Sequence, residues 1–325
     1  MKKIFLLLMI LSLIFSLNSL VFAQEGNLSI WVAASPEEGQ NLIQAFKQHY
    51  PNISVDMIRA GSGELLTRLN AEQPNPSGDI ILGIAKEAIE GNYELFDAYK
   101  SKNHSDIPDG LKDDAEVPKY YGYSMPLQAF MINTELLEPE DYPRTWKALA
   151  DPKYKGEIVM ANPALSGSAY SQVFQMNELY GFDFLKELVP NVIFVTSSSL
   201  VPEGVARGEY AIGITGEYNI ADHIDQGSPV TAVYPEEGTG ARFDATAVIK
   251  NCQNLENAKL FIDFMTTKEA YEIILESRSR RTVHPEVPAP GALPPLNEVP
   301  LMDYDDLKAA EIREDLTMKV SDLIQ

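Results

Sequence analysis

The sequence predicts an α/β protein made of two successive units, each a sheet flanked by helices. Three observations carry this. Short apolar, β-prone runs alternate with stretches of helical periodicity. The alternation occurs twice, once before about residue 90 and once after about residue 157, with strand-like links between. The strand-to-helix junctions hold small and hydroxyl residues, as in sheets whose ligands sit at the carboxyl ends of the strands.

The first unit opens at Leu28–Ala33, an apolar run that reads as a strand. Pro36–Tyr50 follows with Leu42, Ile43, Phe46 and Tyr50 on one helical face. Ile53–Ile58 is a second strand, and Ser62–Glu72 spaces Leu65, Leu66 and Leu69 as a helix does. Asp79–Gly83 is a short buried strand, and the β-α-β-α-β order implies parallel pairing. Tyr120–Tyr123 and Leu127–Asn133 read as connecting strands. The second unit has strands at Glu157–Met160, Val192–Val195, Tyr210–Thr215 and Thr231–Tyr234. Its helices are Ser168–Tyr180, Ser199–Arg207 and Glu217–Asp225. Ala245–Ile249 is one more strand, with helices at Leu255–Met265 and Lys268–Glu276. Val287–Pro300 is proline-rich and predicts extended chain, and one last helix is expected over Tyr304–Ile324.

Composition narrows the function. Of 325 residues, 47 are acidic and 26 basic, a net charge of −21. This opposes non-specific binding to nucleic acid or to an anionic membrane. The 45 % hydrophobic content suffices for a core and excludes wholesale disorder. One cysteine, Cys252, permits neither an intramolecular disulfide nor a cysteine-based zinc site. Met1-Lys2-Lys3 followed by the apolar run Ile4–Leu17 and by Val21-Phe22-Ala23 reads as a secretory signal, with cleavage expected after Ala23. The apolar run is shorter than the ~20 residues of a spanning helix. The expected product is an exported, soluble, periplasmic protein.

The turns supply the candidate ligand contacts. Ser35 precedes Pro36 and stands three residues before Glu38, a capping box at a strand's carboxyl end; it either caps its helix or reaches a ligand. Ser62 and Gly63 follow the second strand, where glycine admits close approach and serine can cap. Ser166, Ser168 and the Ala169 N–H open a helix whose first turn carries no carboxylate. Ser197 and Ser198 open another, with its first carboxylate at Glu203. In so acidic a chain these starts leave N–H groups and hydroxyls for an anion, or serve as polar caps. Thr215, Glu217 and Tyr218 close the YAIGIT strand, and Glu217 can accept from a ligand hydroxyl or amine. Catalytic signatures are missing: no G-x-S-x-G, no H-E-x-x-H, no P-loop, no G-x-G-x-x-G. The four histidines are dispersed, without metal-ligand spacing.

Several segments in order carry a family resemblance: RAGSGELLTRLNAEQPNPSGDIILG, NPALSGSAYS, SSSLVPEGVARGEYAIGITGEY, VYPEEGTG and SRRTVHPEVPAPGALPPLNEVPLMDYD. They resemble the periplasmic solute-binding proteins of ABC transporters, in the branch of ferric-ion, hexose-phosphate and phosphonate binders. The resemblance implies a type II fold of two αβ lobes with the ligand cleft between them. It implies lobe 1 from 24–125 plus 240–280, lobe 2 from 126–239, and residues 281–325 as a tail and helix packing back on the lobes. It implies no cofactor, no catalysis, a monomer, and two partners: a small anionic solute and the permease. Arg280 and Arg281 match the arginines before the family's tail, and Arg281 is a candidate for an anionic group. Ferric binders in the family carry a paired tyrosine after the strand that here is YAIGIT; this chain has Tyr218-Asn219. The expected solute is therefore a sugar phosphate or phosphonate. Ferric iron on Tyr218 and Glu217 is the alternative, and a secreted hydrolase is the rival from another class.

Overall fold

The computed structural model describes residues 25–240 and 242–324. The expected signal segment and its cleavage after Ala23 lie outside the described residues.

The first sheet begins with strands β1 (Gly26–Val32), β2 (Ile53–Arg59) and β3 (Ile80–Ala85), paired in parallel around β1. Helices α1 (Pro36–His49) and α2 (Ser62–Glu72) connect them, and the five-residue α3 (Lys86–Glu90) follows β3. Every residue of β3 but the last is buried, which explains its unbroken apolar sequence. Strand β4 (Phe96–Asp97) and β5 (Tyr120–Ser124) complete this stretch. The chain then crosses at Met125–Leu127 into β6 (Gln128–Asn133) of a second sheet.

That second sheet holds β7 (Ile158–Ala161), β8 (Val192–Val195), β9 (Ile212–Gly216) and β10 (Val230–Val233), in the order β10-β6-β9-β7-β8. Around it lie α4 (Gly167–Tyr180), α5 (Phe182–Leu188), α6 (Leu200–Ala206) and α7 (Glu217–Asp225). After β11 (Thr239–Gly240) the chain returns to the first sheet as β12 (Asp244–Ile249). There it runs antiparallel to β3, β4 and β5. The sheets are thus mixed rather than purely parallel. The strands joined by helices are parallel, and those next to a crossing run the other way.

Helices α8 (Leu255–Met265) and α9 (Lys268–Arg278) pack on the first sheet. Each sheet has its own core: Trp31, Phe46, Phe96, Phe261 and Tyr271 in one, Phe130, Trp146, Tyr170 and Phe174 in the other. Tyr234, on the return path, packs against both. The fold is therefore a two-lobed α/β protein with a sheet and a core in each lobe.

The C-terminal segment departs from the single helix expected. After β13 (Leu301–Met302), which pairs β11, it forms α10 (Asp306–Glu311) and α11 (Arg313–Ile324). The break at Ile312 has a tertiary cause. The buried Tyr170 hydroxyl donates to the Ala309 carbonyl, which a continuous helix would offer to the N–H of residue 313. Asp306 meets Lys86 of the first lobe at 3.0 Å, while Leu316 and Val320 enter the second core. This segment spans both lobes.

Candidate functional site

Between the lobes lies a cleft of about 780 Å³. From the second lobe, its wall is made by two turns at the carboxyl ends of strands. After β7 the chain reaches Ser166, the N-cap of α4, whose Oγ accepts from Ala169 N at 3.3 Å. The first turn of α4 carries no acidic residue. After β8, the Ser197 and Ser199 hydroxyls share a hydrogen bond of 2.9 Å. Helix α6 starts only at Leu200, so Glu203 falls inside its first turn. The carboxylate-free start expected there is thus found at α4 alone of the two.

From the first lobe come Gly61, Ser62 and Gly63. Gly61, not Ser62, is the N-cap of α2, and it has no side-chain cap bond. A Cβ on Gly61 or Gly63 would meet nothing within 4 Å, so open space, not neighbouring protein, adjoins this turn. Gly83 lies deeper in the cleft at φ +70°, and a Cβ there would press on Ala34 at 3.1 Å. The strand can bend here only as glycine.

Four arginines face the cleft: Arg59, Arg242, Arg280 and Arg313. Arg242 is buried and donates to Asp244 Oδ1 at 2.6 Å. Arg280 stands 3.5 Å from Asp244 Oδ2 and 3.4 Å from Glu38 Oε2, with its guanidinium 4.6 Å from the Tyr218 ring centre. Burial opposes the charge on both, but carboxylates outweigh it and hold them protonated beyond the usual arginine range: Glu87 and Asp244 for Arg242, chiefly Glu38 for Arg280. Arg59 Nε donates to the Ala34 carbonyl at 3.3 Å, and Arg313 lies 4.8 Å from the Tyr170 ring centre. Neither is paired with a carboxylate among the described residues. Only Glu87 and Asp244 supply carboxylates to the lining, so the cleft is locally positive in a chain of net charge −21.

Of the residues singled out by sequence, Ser62, Gly63, Ser166, Ser168, Ser197, Ser198 and Tyr218 line this cleft. Five others do not. Ser35 caps α1, accepting from Glu38 N at 3.2 Å. The Ala169 N–H is taken by Ser166. Thr215 is buried and accepts from Asn219 Nδ2 at 2.9 Å. Glu217 and Arg281 are buried against each other, at 2.7 Å (Nε to Oε1) and 3.0 Å (Nη2 to Oε2). Tyr234 adds its hydroxyl to Glu217 at 2.5 Å. The arginine that reaches the cleft is the neighbour, Arg280.

The comparisons with known proteins agree with this architecture. Residues 41–300 match the family described as bacterial extracellular solute-binding protein. An uncharacterized protein of Haemophilus influenzae is 33 % identical over 312 residues, covering 91 % of this chain and 90 % of its own. The periplasmic binding protein AfuA from Actinobacillus pleuropneumoniae, solved with fructose-6-phosphate bound, superposes with a TM-score of 0.82 at 32 % identity. That match covers 93 % of this chain and 99 % of the other. Iron-bound HitA from Pseudomonas aeruginosa superposes at 0.81 over 90 % of this chain and 99 % of its own, with 19 % identity, a likeness of fold alone. The chain belongs to the bacterial extracellular solute-binding proteins, in the two-lobed type II form that serves ABC transporters.

Proposed function

We propose that this protein captures a small organophosphate, a sugar phosphate or phosphonate, in the inter-lobe cleft and delivers it to a membrane permease. The family is one of solute carriers rather than enzymes, and it works in the periplasm. Removal of the first 23 residues during export belongs to this proposal.

One observation carries the reading. A chain of net charge −21 gathers four guanidiniums around one cleft, and Arg59 and Arg313 approach it from opposite lobes without a carboxylate partner among the described residues. Guanidinium forks match phosphate oxygens. The hydroxyls of Ser62, Ser168, Ser197 and Ser198 add neutral donors on both walls. A ligand touching both lobes favours their closed arrangement, since only there are all contacts made. The bound fructose-6-phosphate of AfuA, at 32 % identity, supports the same class.

The ferric alternative rests on Tyr218. Its chain neighbour is Asn219, whose amide is tied to Thr215, and a guanidinium lies over the Tyr218 ring. A cation there opposes a trivalent cation beside it.

Calorimetric titration of the purified protein with fructose-6-phosphate, fructose and ferric citrate tests the proposal. The phosphate ester is expected to bind, also in excess chelator, and free fructose to bind far more weakly. A coloured protein that takes up iron, bleaches with chelator and ignores the ester would overturn it.

A further inference from the structure

Glu87 is the second residue of α3, the short helix that springs from the carboxyl end of β3. It lines the cleft, yet it is only 2 % exposed. Neither of its carboxylate oxygens has a hydrogen-bond partner. The Arg242 guanidinium comes no nearer than 3.5 Å, from Nη1 to Oε1. That arginine is committed elsewhere, with Nη2 on Asp244 at 2.6 Å. The adjacent Lys86 turns away to Asp306 at 3.0 Å. A carboxylate so buried needs donors; the unpartnered ones nearby, Arg242 Nε and the Tyr304 hydroxyl, do not hydrogen-bond it. Burial pushes the Glu87 carboxyl up, with Arg242 and the residue's own backbone N–H opposing.

The cleft therefore holds two unlike demands. Its arginines and serines want an anion, and Glu87 wants N–H or O–H groups. One ligand can meet both only if it carries donors on its organic part. We infer that Glu87 is a ligand-contacting specificity residue, accepting hydrogen bonds from hydroxyl or amino groups on the body of the phosphate ester. This rests on the organophosphate reading and narrows it to polyhydroxylated or amino compounds, excluding inorganic phosphate and simple alkyl esters as preferred solutes. An alkyl ester would close the cleft over Glu87 and bring it no donor. Sites that hydrogen-bond a substrate group reject the analogue lacking it for this reason.

The test titrates wild type, Glu87→Gln and Glu87→Asp with fructose-6-phosphate and with butyl phosphate, with thermal melts alongside. Wild type is expected to prefer the sugar phosphate by roughly tenfold to hundredfold, the yield of a hydrogen bond to a charged group. Glu87→Gln should lose about that factor on the sugar phosphate and hold butyl phosphate within about threefold of wild type. Glu87→Asp keeps a charge opposite Arg242 but withdraws it by one methylene, and its preference should collapse likewise; it carries the test should the glutamine variant melt too low. A variant that keeps the wild-type preference, or one that weakens both ligands equally, overturns the inference. Equal binding of both esters by wild type overturns it and leaves the organophosphate reading standing. Binding of neither ester removes that reading and this inference with it.

Discussion

Ser168 offers a test that separates a helix cap from the proposed ligand contact. It is the second residue of α4, half-buried at the cleft, and the cap is Ser166. Ser168→Ala should weaken a phosphate ester by roughly tenfold to hundredfold, the worth of a charge-assisted hydrogen bond. Ser168→Asp is the sharper variant. A carboxylate in a helix's first turn stabilises the helix by about 0.3–1 kcal/mol. Melting should hold or rise while titration shows binding almost abolished, because the carboxylate occupies the anion's place. Unchanged binding in Ser168→Asp would remove Ser168 from the site. At this scale the sequence was informative where local turn chemistry decides position. Ser62, Gly63, Ser166, Ser168, Ser197 and Ser198 all sit at strand-to-helix turns, and all line the cleft. Arg59, Arg242 and Arg313 were not legible in it. They arrive from a strand end, from the return crossing and from the C-terminal helix. Which face a long side chain takes there depends on contacts distant in sequence. The one available signal was the Arg280-Arg281 pair, and only the structure separates which of the two is buried against Glu217.

Among the elements, boundaries were legible where caps and turns are local. Ser62–Glu72, Glu217–Asp225 and Leu255–Met265 run as their periodicity predicts. The break at Ile312 was not, since it follows from a bond between Tyr170 and Ala309 made across the fold. Helix α7 gives the second case of tertiary control. Glu217, its first residue, read as a ligand acceptor or a helix-start acid. It is instead one end of a clamp. Arg281 holds it with two bonds, donates further to the Pro294 carbonyl at 2.9 Å, and through its own carbonyl accepts from Met125 N at 2.8 Å. The clamp ties α7, the first crossing and the tail together. Its side chains are 4 % and 1 % exposed. Arg281→Met would leave an uncompensated buried carboxylate and should cost about 3–5 kcal/mol in urea unfolding. Adding Glu217→Met should recover much of that loss, since a buried pair replaced whole by apolar groups is often close to neutral. A double variant as unstable as Arg281→Met alone would contradict this, and a loss of affinity without loss of stability would return Arg281 to the ligand site.

For the whole molecule, two lobes with separate cores and one positive cleft would let so acidic a chain hold the proposed anion. Salt screens the long-range repulsion beyond about 8 Å at physiological ionic strength, and the cleft arginines then decide. The alternation of strands and helices made both units legible, while the antiparallel returns of β6 and β12 depend on crossings that periodicity does not encode. The packing also fixes a response to alkali. Burial first, and neighbouring acids where present, push many tyrosine hydroxyls above their ordinary 10.0, among them the wholly buried Tyr123 and Tyr271. Burial likewise lifts the Cys252 thiol to about 12. Each such group stays protonated in the fold while the unfolded chain releases its proton. The unfolded state then binds fewer protons, so stability falls as pH rises. The contribution is intact below pH 10 for the phenols and is lost progressively above it. One buried phenol contributes a slope of about 1.4 kcal/mol per pH unit in that range. Self-repulsion of the net charge of −21 adds to the decline. Urea unfolding at intervals from pH 8 to pH 11 should therefore show a plateau and then a steep fall. Tyr271 donates to the Gly122 carbonyl at 2.6 Å. Tyr271→Phe should lower the plateau by about 1 kcal/mol and reduce the alkaline slope by close to one proton. A slope unchanged in Tyr271→Phe would mean that its hydroxyl is not held neutral by the fold.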